Sequence, residues 1–309
     1  MARRRTLSTM RNFVTPELPP GTAVVCHDAG AANIIVAGLR ASGRSDWRPV
    51  MHGPAHALWT RAFGEPGTAD LHDTIARAPM LISGTGWAST LEHDARRIAR
   101  DAGVPSVAVI DHWVNYAARF ERDGEVVWPD VFWVTDEYAE AEARRVFGAQ
   151  ARIECVRNEY VEAQLAAIAA VAPASPAELL YVLEPTRNDW GRGEPGEFQA
   201  LDQFVRLLPA LGLPDALRIV LRPHPSDPPG KYDAWLSAQH DARMVLDVEP
   251  DIGVSIGRAR WIAGCESFAL VLGLRAGRDV ICTLPAWAPA CRLPHRGMIH
   301  LKDIESKAK

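Results

Sequence analysis

The chain has 309 residues, 48% of them hydrophobic and 23% charged, enough for two ordinary domains that each bury a core. The net charge of −4 gives no general electrostatic case for nucleic acid or for an anionic membrane. The five cysteines (Cys26, Cys155, Cys265, Cys282, Cys291) are scattered, odd in number and without CxxC spacing, which fits reduced thiols in a cytoplasmic protein better than a disulfide framework or a zinc site.

The leader Met1–Phe13 is basic (Arg3, Arg4, Arg5, Arg11) but lacks an apolar segment, so it does not read as a secretory signal. Residues 1–20 are expected to be a disordered tail, which leaves open a weak peripheral contact with the inner face of an anionic membrane. No apolar run is long enough to span a bilayer. Thr22–Cys26 predicts a short buried strand. His27-Asp28-Ala29-Gly30-Ala31-Ala32-Asn33 then turns into an apolar-periodic helix, Ile34–Leu39. Small residues at such a turn let a ligand approach the helix N-terminus, whose free N–H groups favour anions and hydroxyl oxygens.

Trp47–His52 predicts a second strand and Ala55–Phe63 a helix ended by Gly64. Pro79–Ser83 is a buried strand that runs into Gly84-Thr85-Gly86-Trp87 and a helix reaching Asp101. Gly84 and Gly86 resemble a dinucleotide fingerprint only in part. Ser89 takes the third small position and no ribose-binding acid follows a second strand, so the turn reads as exposed backbone N–H groups rather than an NAD site. Ser106–Ile110 ends at Asp111-His112-Trp113. Val131–Val134 is a strand, Glu137–Phe147 a helix, Arg152–Val156 a strand, and Tyr160–Val171 an alanine-rich helix.

Ala172–Ala177 (APASPA) reads as a linker. The alternation then restarts. Leu179–Leu183 is a strand ending at Glu184-Pro185-Thr186-Arg187-Asn188, and Glu197–Leu211 a helix. Leu217–Leu221 is a strand that stops at Arg222-Pro223-His224-Pro225, where proline cannot join a central ladder and restricts its predecessor. Lys231–Gln239 is a helix, Arg243–Leu246 a strand, Asp251–Arg258 a short helix. Trp261–Ala263 is a strand ending at Gly264-Cys265-Glu266-Ser267, followed by a helix, Phe268–Ala276. Asp279–Leu284 and Met298–Leu301 are the last strands. Strand–helix alternation in both halves predicts an α/β protein: two doubly wound parallel-sheet domains, 21–171 and 178–309, facing one cleft.

This pattern resembles the GT-B superfamily of nucleotide-sugar glycosyltransferases, UDP-GlcNAc 2-epimerases and nucleotide-sugar hydrolases. The residues that carry the resemblance are Arg222 and His224 with their prolines, and Glu266-Ser267 leading into an apolar helix closed by Gly277-Arg278. Arg-Pro-His-Pro is similar to the His-Pro motif of bacterial sialyl-, Kdo- and glycerophosphate transferases. The resemblance implies that His224 contacts a donor phosphate, that Glu266 holds ribose hydroxyls, and that Ser267 and the helix N-terminus hold phosphate. It implies a nucleotide-sugar as substrate rather than a bound cofactor, and catalysis without a metal. GT-B chains often end in a helix that crosses back to the first domain; here only Lys302–Lys309 follow the last predicted strand.

Arg222 suits phosphate by its own chemistry as well, being a forked and always-charged donor beside an imidazole that titrates near neutrality. Glu184, Thr186, Arg187 and Asn188 form a polar loop at a strand end where ligands bind in open parallel sheets. A proton-transfer group is expected from the N-terminal half. Asp28, Asp111 and Glu92 are the candidates, with His27 and His112 as neighbours; Glu92 falls in a first helical turn where an acid is favoured in any case. Trp113, Asn115 and Tyr116 could contact a sugar, although clustered aromatics are more often core. His240, His295 and His300 show no ligand spacing and read as surface residues. The main expectation is a glycosyltransferase-like enzyme that moves a sugar from a nucleotide-activated donor to a glycan or lipid-linked acceptor of a surface polysaccharide. The alternatives are an epimerase or hydrolase of the same fold, a polyol-phosphate transferase, and a non-catalytic nucleotide-sugar-binding partner.

Overall fold

The structure, a computed structural model, describes residues 16–87, 89–174, 177–185, 187–239 and 241–308. Most of the expected leader, two linker residues, Thr186 and His240 therefore lie outside the described residues. The chain forms two compact units that meet between Tyr160 and Val161.

The first unit contains β1 (Ala23–Cys26), α1 (Ala29–Ala41), β2 (Arg48–Met51), α2 (Gly53–Phe63), α3 (Leu71–Ala76), β3 (Leu81–Ser83), α4 (Leu91–Ala102), β4 (Ser106–Val109), β5 (Glu121–Arg122), β6 (Glu125–Val126), β7 (Val131–Val134), α5 (Glu137–Phe147) and β8 (Ile153–Cys155). Its six-stranded sheet is parallel throughout, in the order β2-β1-β3-β4-β7-β8. Strands β1, β4 and β7 are buried at every residue, which is why they read as unbroken apolar runs instead of alternating ones. Helix α5 starts where the Asp136 carboxylate accepts the Ala139 N–H at 2.7 Å. Helix α4 stops at Gly103, whose left-handed φ of 68° favours glycine.

The second unit contains most of α6 (Glu159–Ala169), then β9 (Glu178–Val182), α7 (Gly196–Leu207), β10 (Arg218–Arg222), α8 (Asp233–Gln239), β11 (Met244–Leu246), α9 (Ile252–Arg258), β12 (Ala259–Gly264), α10 (Phe268–Arg275), β13 (Asp279–Cys282), β14 (Ile299–His300) and α11 (Leu301–Ala308). Its sheet is again all parallel, in the order β11-β10-β9-β12-β13-β14. In each sheet the strand order reverses once, between β1 and β3 in the first and between β9 and β12 in the second. At such a switch point adjacent loops part and leave a crevice at the carboxyl edge.

Several expectations shift. Helix α6, assigned from sequence to the N-terminal domain, packs on the second unit. A Cβ on Gly257 of α9 would stand 2.5 Å from Val171 Cβ and 3.0 Å from the Ile168 carbonyl, and Arg275 pairs with Glu162 at 2.7 Å. Helix α3 and the β5–β6 hairpin, too short for a periodic signal, went unpredicted. The last strand shrinks to Ile299–His300, because Leu301 is fully buried and begins α11. That helix lies on α7, where Glu305 accepts from Gln203 and Arg206, each at 2.9 Å. Among the described residues no helix is long and apolar enough to cross a membrane.

Candidate functional site

All three acids singled out from sequence in the N-terminal half fall at the first switch point. His27 and Asp28 leave the end of β1, Gly84–Trp87 leaves β3, and Asp111 follows β4. Asp28 accepts the His27 Nδ1–H at 2.7 Å with one oxygen and the Trp87 backbone N–H at 3.1 Å with the other. With Nδ1–H tied to a carboxylate, His27 presents Nε2 as the basic nitrogen, the orienting arrangement that an acid gives an imidazole base. Glu92, in the first turn of α4, is 1% exposed. Its Oε1 accepts the His27 backbone N–H at 3.0 Å, and its Oε2 is buried with no hydrogen-bond partner among the described residues. Burial pushes the Glu92 carboxyl up, and the His27 N–H only partly offsets this.

Two arginines that sequence reasoning missed brace this edge. Arg119 donates from Nη1 to Asp111 Oδ1 at 2.7 Å and to Thr85 Oγ1 at 3.0 Å, and its guanidinium lies 5.5 Å from the exposed Trp87 ring. Arg96, fully buried on α4, donates to the Gly84 carbonyl at 3.0 Å and Ser83 Oγ at 3.3 Å. Burial lowers its pKa to about 10, which leaves it charged at neutral pH. Glycines admit the acids: a Cβ on Gly30 would overlap Asp111 Oδ2, and one on Gly86 would overlap Asp28 Oδ2. Trp113 and Tyr116 are buried, with the Trp113 indole N–H on the Asp136 carboxylate at 2.9 Å, so they belong to the core. A separate apolar cavity of about 470 Å³ lies under α1 against Trp47, Trp133 and Val156; none of His27, Asp28, Glu92 and Asp111 lines it.

At the second switch point, Glu184 after β9 and Glu266 after β12 come together. Glu184 accepts the Glu266 backbone N–H with one oxygen and pairs with Arg187 through the other. Arg187 also donates to Glu266 Oε2 at 3.3 Å. Arg292, unmarked in the sequence, closes the network from the other side: its backbone N–H meets Glu266 Oε1 at 2.7 Å and its Nη2 meets Oε2 at 2.9 Å. Burial alone would raise the Glu266 carboxyl, but the Arg292 contacts outweigh it and hold the group below the ordinary carboxylate range. Beneath, Glu197 on α7 accepts the Arg187 backbone N–H at 2.8 Å and pairs with Lys231 at 2.9 Å.

The remaining expected residues divide. Arg222 is spent inside the fold: its Nη1 reaches Asp247 and the Glu249 carbonyl, both at 2.7 Å, and its Nη2 the Pro250 carbonyl at 3.0 Å. It ties the segment after β11 to the end of β10. His224 is exposed, and its Nδ1 bonds within its own turn, 2.7 Å from Ser226 Oγ and 3.2 Å from the Ser226 backbone N–H, which leaves Nε2 outside the turn's own bonds. Ser267 caps α10 through the Ala269 N–H at 3.2 Å. Thr186 lies outside the described residues. Among the described residues no group of His, Cys, Asp and Glu side chains is placed to hold a metal ion.

No protein-family model matches the chain and no curated protein matches it. Its likeness is to solved structures. It is similar to the UDP-GlcNAc 2-epimerase from Methanocaldococcus jannaschii, with a TM-score of 0.62 at 12% identity over 93% of this chain and 91% of that one. It is also similar to the UDP-GlcNAc 2-epimerase from Neisseria meningitidis bound to UDP-GlcNAc, with a TM-score of 0.60 at 10% identity over 93% and 90% of the two chains. A third is the glycotransferase of kitacinnamycin, with a TM-score of 0.52 at 13% identity over 90% and 85%. At these identities the likeness is one of fold. The chain has the two-domain, GT-B-like α/β architecture that its sequence predicts.

Proposed function

We propose that this chain is an enzyme that acts on a nucleotide-activated sugar. The observation that carries the reading is that both switch points hold charged side chains suited to such a substrate: acids and an oriented imidazole in the first unit, an arginine–glutamate network in the second. The structures it resembles include epimerases of a UDP-sugar, one of them bound to its substrate. In this reading the second unit holds the nucleotide. Glu184 and Glu266 offer carboxylate acceptors to ribose hydroxyls, and Arg187, Arg292 and the His224 ring offer donors to the phosphates. The first unit supplies proton transfer: His27, held by Asp28, is the base, and Asp111, charge-balanced by Arg119, is the second acid–base group. Departure of the nucleotide develops negative charge on its phosphate, which fixed guanidinium donors stabilise.

Two reactions follow from the same groups. Epimerisation or hydrolysis of the nucleotide-sugar needs only the donor, and the epimerase-like fold favours it. Transfer to a glycan or lipid-linked acceptor is the second reading, favoured by the exposed Trp87 ring beside Asp28, a platform of the kind sugars stack on. Nucleotide release from UDP-GlcNAc is measured with and without acceptor glycans. Full-rate release or epimerisation without acceptor establishes the first reaction, and acceptor-dependent release the second. Absence of both binding and turnover across UDP-, CMP- and GDP-sugars would refute the proposal.

A further inference from the structure

Two loops of the second switch point are fastened to one lysine. Lys231 stands in the segment before α8, and its Nζ lies 2.9 Å from Glu197 Oε1 and 2.8 Å from Asp227 Oδ1. Each carboxylate passes the contact on through its second oxygen. Glu197 Oε2 accepts the Arg187 backbone N–H at 2.8 Å, in the loop after β9. Asp227 Oδ2 accepts the His224 backbone N–H at 2.8 Å, in the turn after β10. A single ammonium thus joins the ends of two strands that are neighbours in the sheet. The next residue adds a third tie: the buried Tyr232 hydroxyl donates to the Glu184 carbonyl at 3.1 Å.

These contacts are shielded from water. The side chains of Lys231, Glu197 and Asp227 are 11%, 2% and 3% exposed, and the Phe198 and Tyr232 rings flank the ammonium at 6.0 and 5.1 Å. Burial alone would lower the Lys231 pKa, but the Asp227 and Glu197 carboxylates outweigh it and raise it, so the ammonium stays charged at neutral pH. Removing one partner from such a shielded group strands a buried charge, which makes the arrangement hard to distort. The ammonium is occupied by its two carboxylates, so it acts through Arg187 and His224 and not on a ligand directly.

We propose, resting on the nucleotide-sugar reading of this site, that Lys231 is a positioning residue that sets the spacing between Arg187 and His224, the donors these two loops present to the substrate's phosphates. Donors fixed in advance lose less freedom when a ligand arrives, so affinity depends on the clamp although Lys231 does not touch the ligand.

Amide hydrogen exchange at Arg187 and His224 is followed in the full chain for the wild type, Lys231→Met and Lys231→Arg, beside calorimetric titrations with UDP and CMP. Lys231→Met removes the cation and keeps the side chain's length. The expected result is several-fold faster exchange at both amides and a nucleotide Kd raised about tenfold, the scale of lost preorganisation. Lys231→Arg keeps the charge and restores both readouts. Arg218→Met, which breaks the Glu178 pair at the other end of β10, moves neither. Should Lys231→Met fail to fold, its combination with Glu197→Gln and Asp227→Asn leaves no stranded charge, keeps both acceptors and gives the same test of the tether. Unchanged exchange at either amide in the folded variant overturns the clamp. Faster exchange with unchanged affinity overturns the positioning role. If the wild type binds neither nucleotide, the reading of the site fails, and the exchange data still decide whether Lys231 holds the two loops.

Discussion

Gly30 and Asp111 are fitted to each other so closely that a Cβ on the glycine would overlap the carboxylate. Gly30 lies in the first turn of α1, where alanine is the better helix former by about 1 kcal/mol. Gly30→Ala should therefore keep the fold and still displace Asp111 from the helix N-terminus. The expected outcome is a folded protein with a lowered melting temperature, because the buried Arg119 loses its carboxylate partner, and with turnover reduced at least about 100-fold, the scale of a misplaced acid–base group. Unchanged turnover would remove Asp111 from the chemistry.

Asp28 spends both oxygens holding others: the His27 ring and the Trp87 backbone. As a positioning residue it should act through His27. Asp28→Asn is expected to lower kcat about 100-fold or more with little change in nucleotide affinity, and to alter the pH profile of kcat. His27→Ala should cost at least as much. If His27→Ala is fully active, the base is another group.

Glu92 gives a stability prediction with a definite sign. Its carboxyl is raised by burial, so the folded chain keeps a proton that the unfolded chain loses as pH climbs past the ordinary carboxylate value of about 4.3. Stability therefore falls as pH rises through the window between the unfolded and folded values, and the cost is full above it. Glu92→Gln keeps an acceptor for the His27 N–H and removes the charge. Denaturant titrations at a series of pH values should show the variant gaining on the wild type as pH rises; parallel curves would contradict this. Glu266 has the opposite sign. Held low by Arg292, it contributes stability above the unfolded value that is lost as pH falls through its folded value.

Arg222 and His224, neighbours in one motif, should separate. Arg222 is mostly buried in its pairing with Asp247, so Arg222→Ala leaves an uncompensated buried carboxylate and should destabilise the second unit by about 3 kcal/mol. His224 is exposed and bonded only within its own turn. His224→Ala should leave stability unchanged and weaken nucleotide binding about tenfold, the scale of one charge-assisted hydrogen bond. Calorimetric titration and chemical denaturation of both variants check the split.

The alternation of buried strands and helices was legible because parallel strands covered on both faces read as plain apolar runs, as in Val131–Val134. The candidate acids were legible for a related reason: Asp28 and Asp111 follow such runs directly, and Glu184 and Glu266 do the same in the second half. The arginines were not. Arg96 lies in a charge-rich helix, LEHDARRIARDA, that reads as a solvated face; the one available signal was its i,i+4 spacing from Glu92. Arg119 and Arg292 sit in irregular segments, where periodicity carries no information and only tertiary structure shows that each faces a carboxylate. Arg222 misled for the converse reason: an arginine at a strand end looks the same in sequence whether it faces a ligand or an internal aspartate.

The central claim is that the second switch point binds a nucleotide. The most direct test is a thermal-shift panel of UDP, CMP, GDP, ADP and NAD against the wild type, Glu266→Gln and Arg292→Ala. A ligand at 100 times its Kd stabilises the native state by about 2.7 kcal/mol, a readily measured rise in Tm. The expected result is a rise with one pyrimidine nucleotide, lost in both variants. A rise with NAD alone, no rise with any nucleotide, or a rise that survives both substitutions would contradict it.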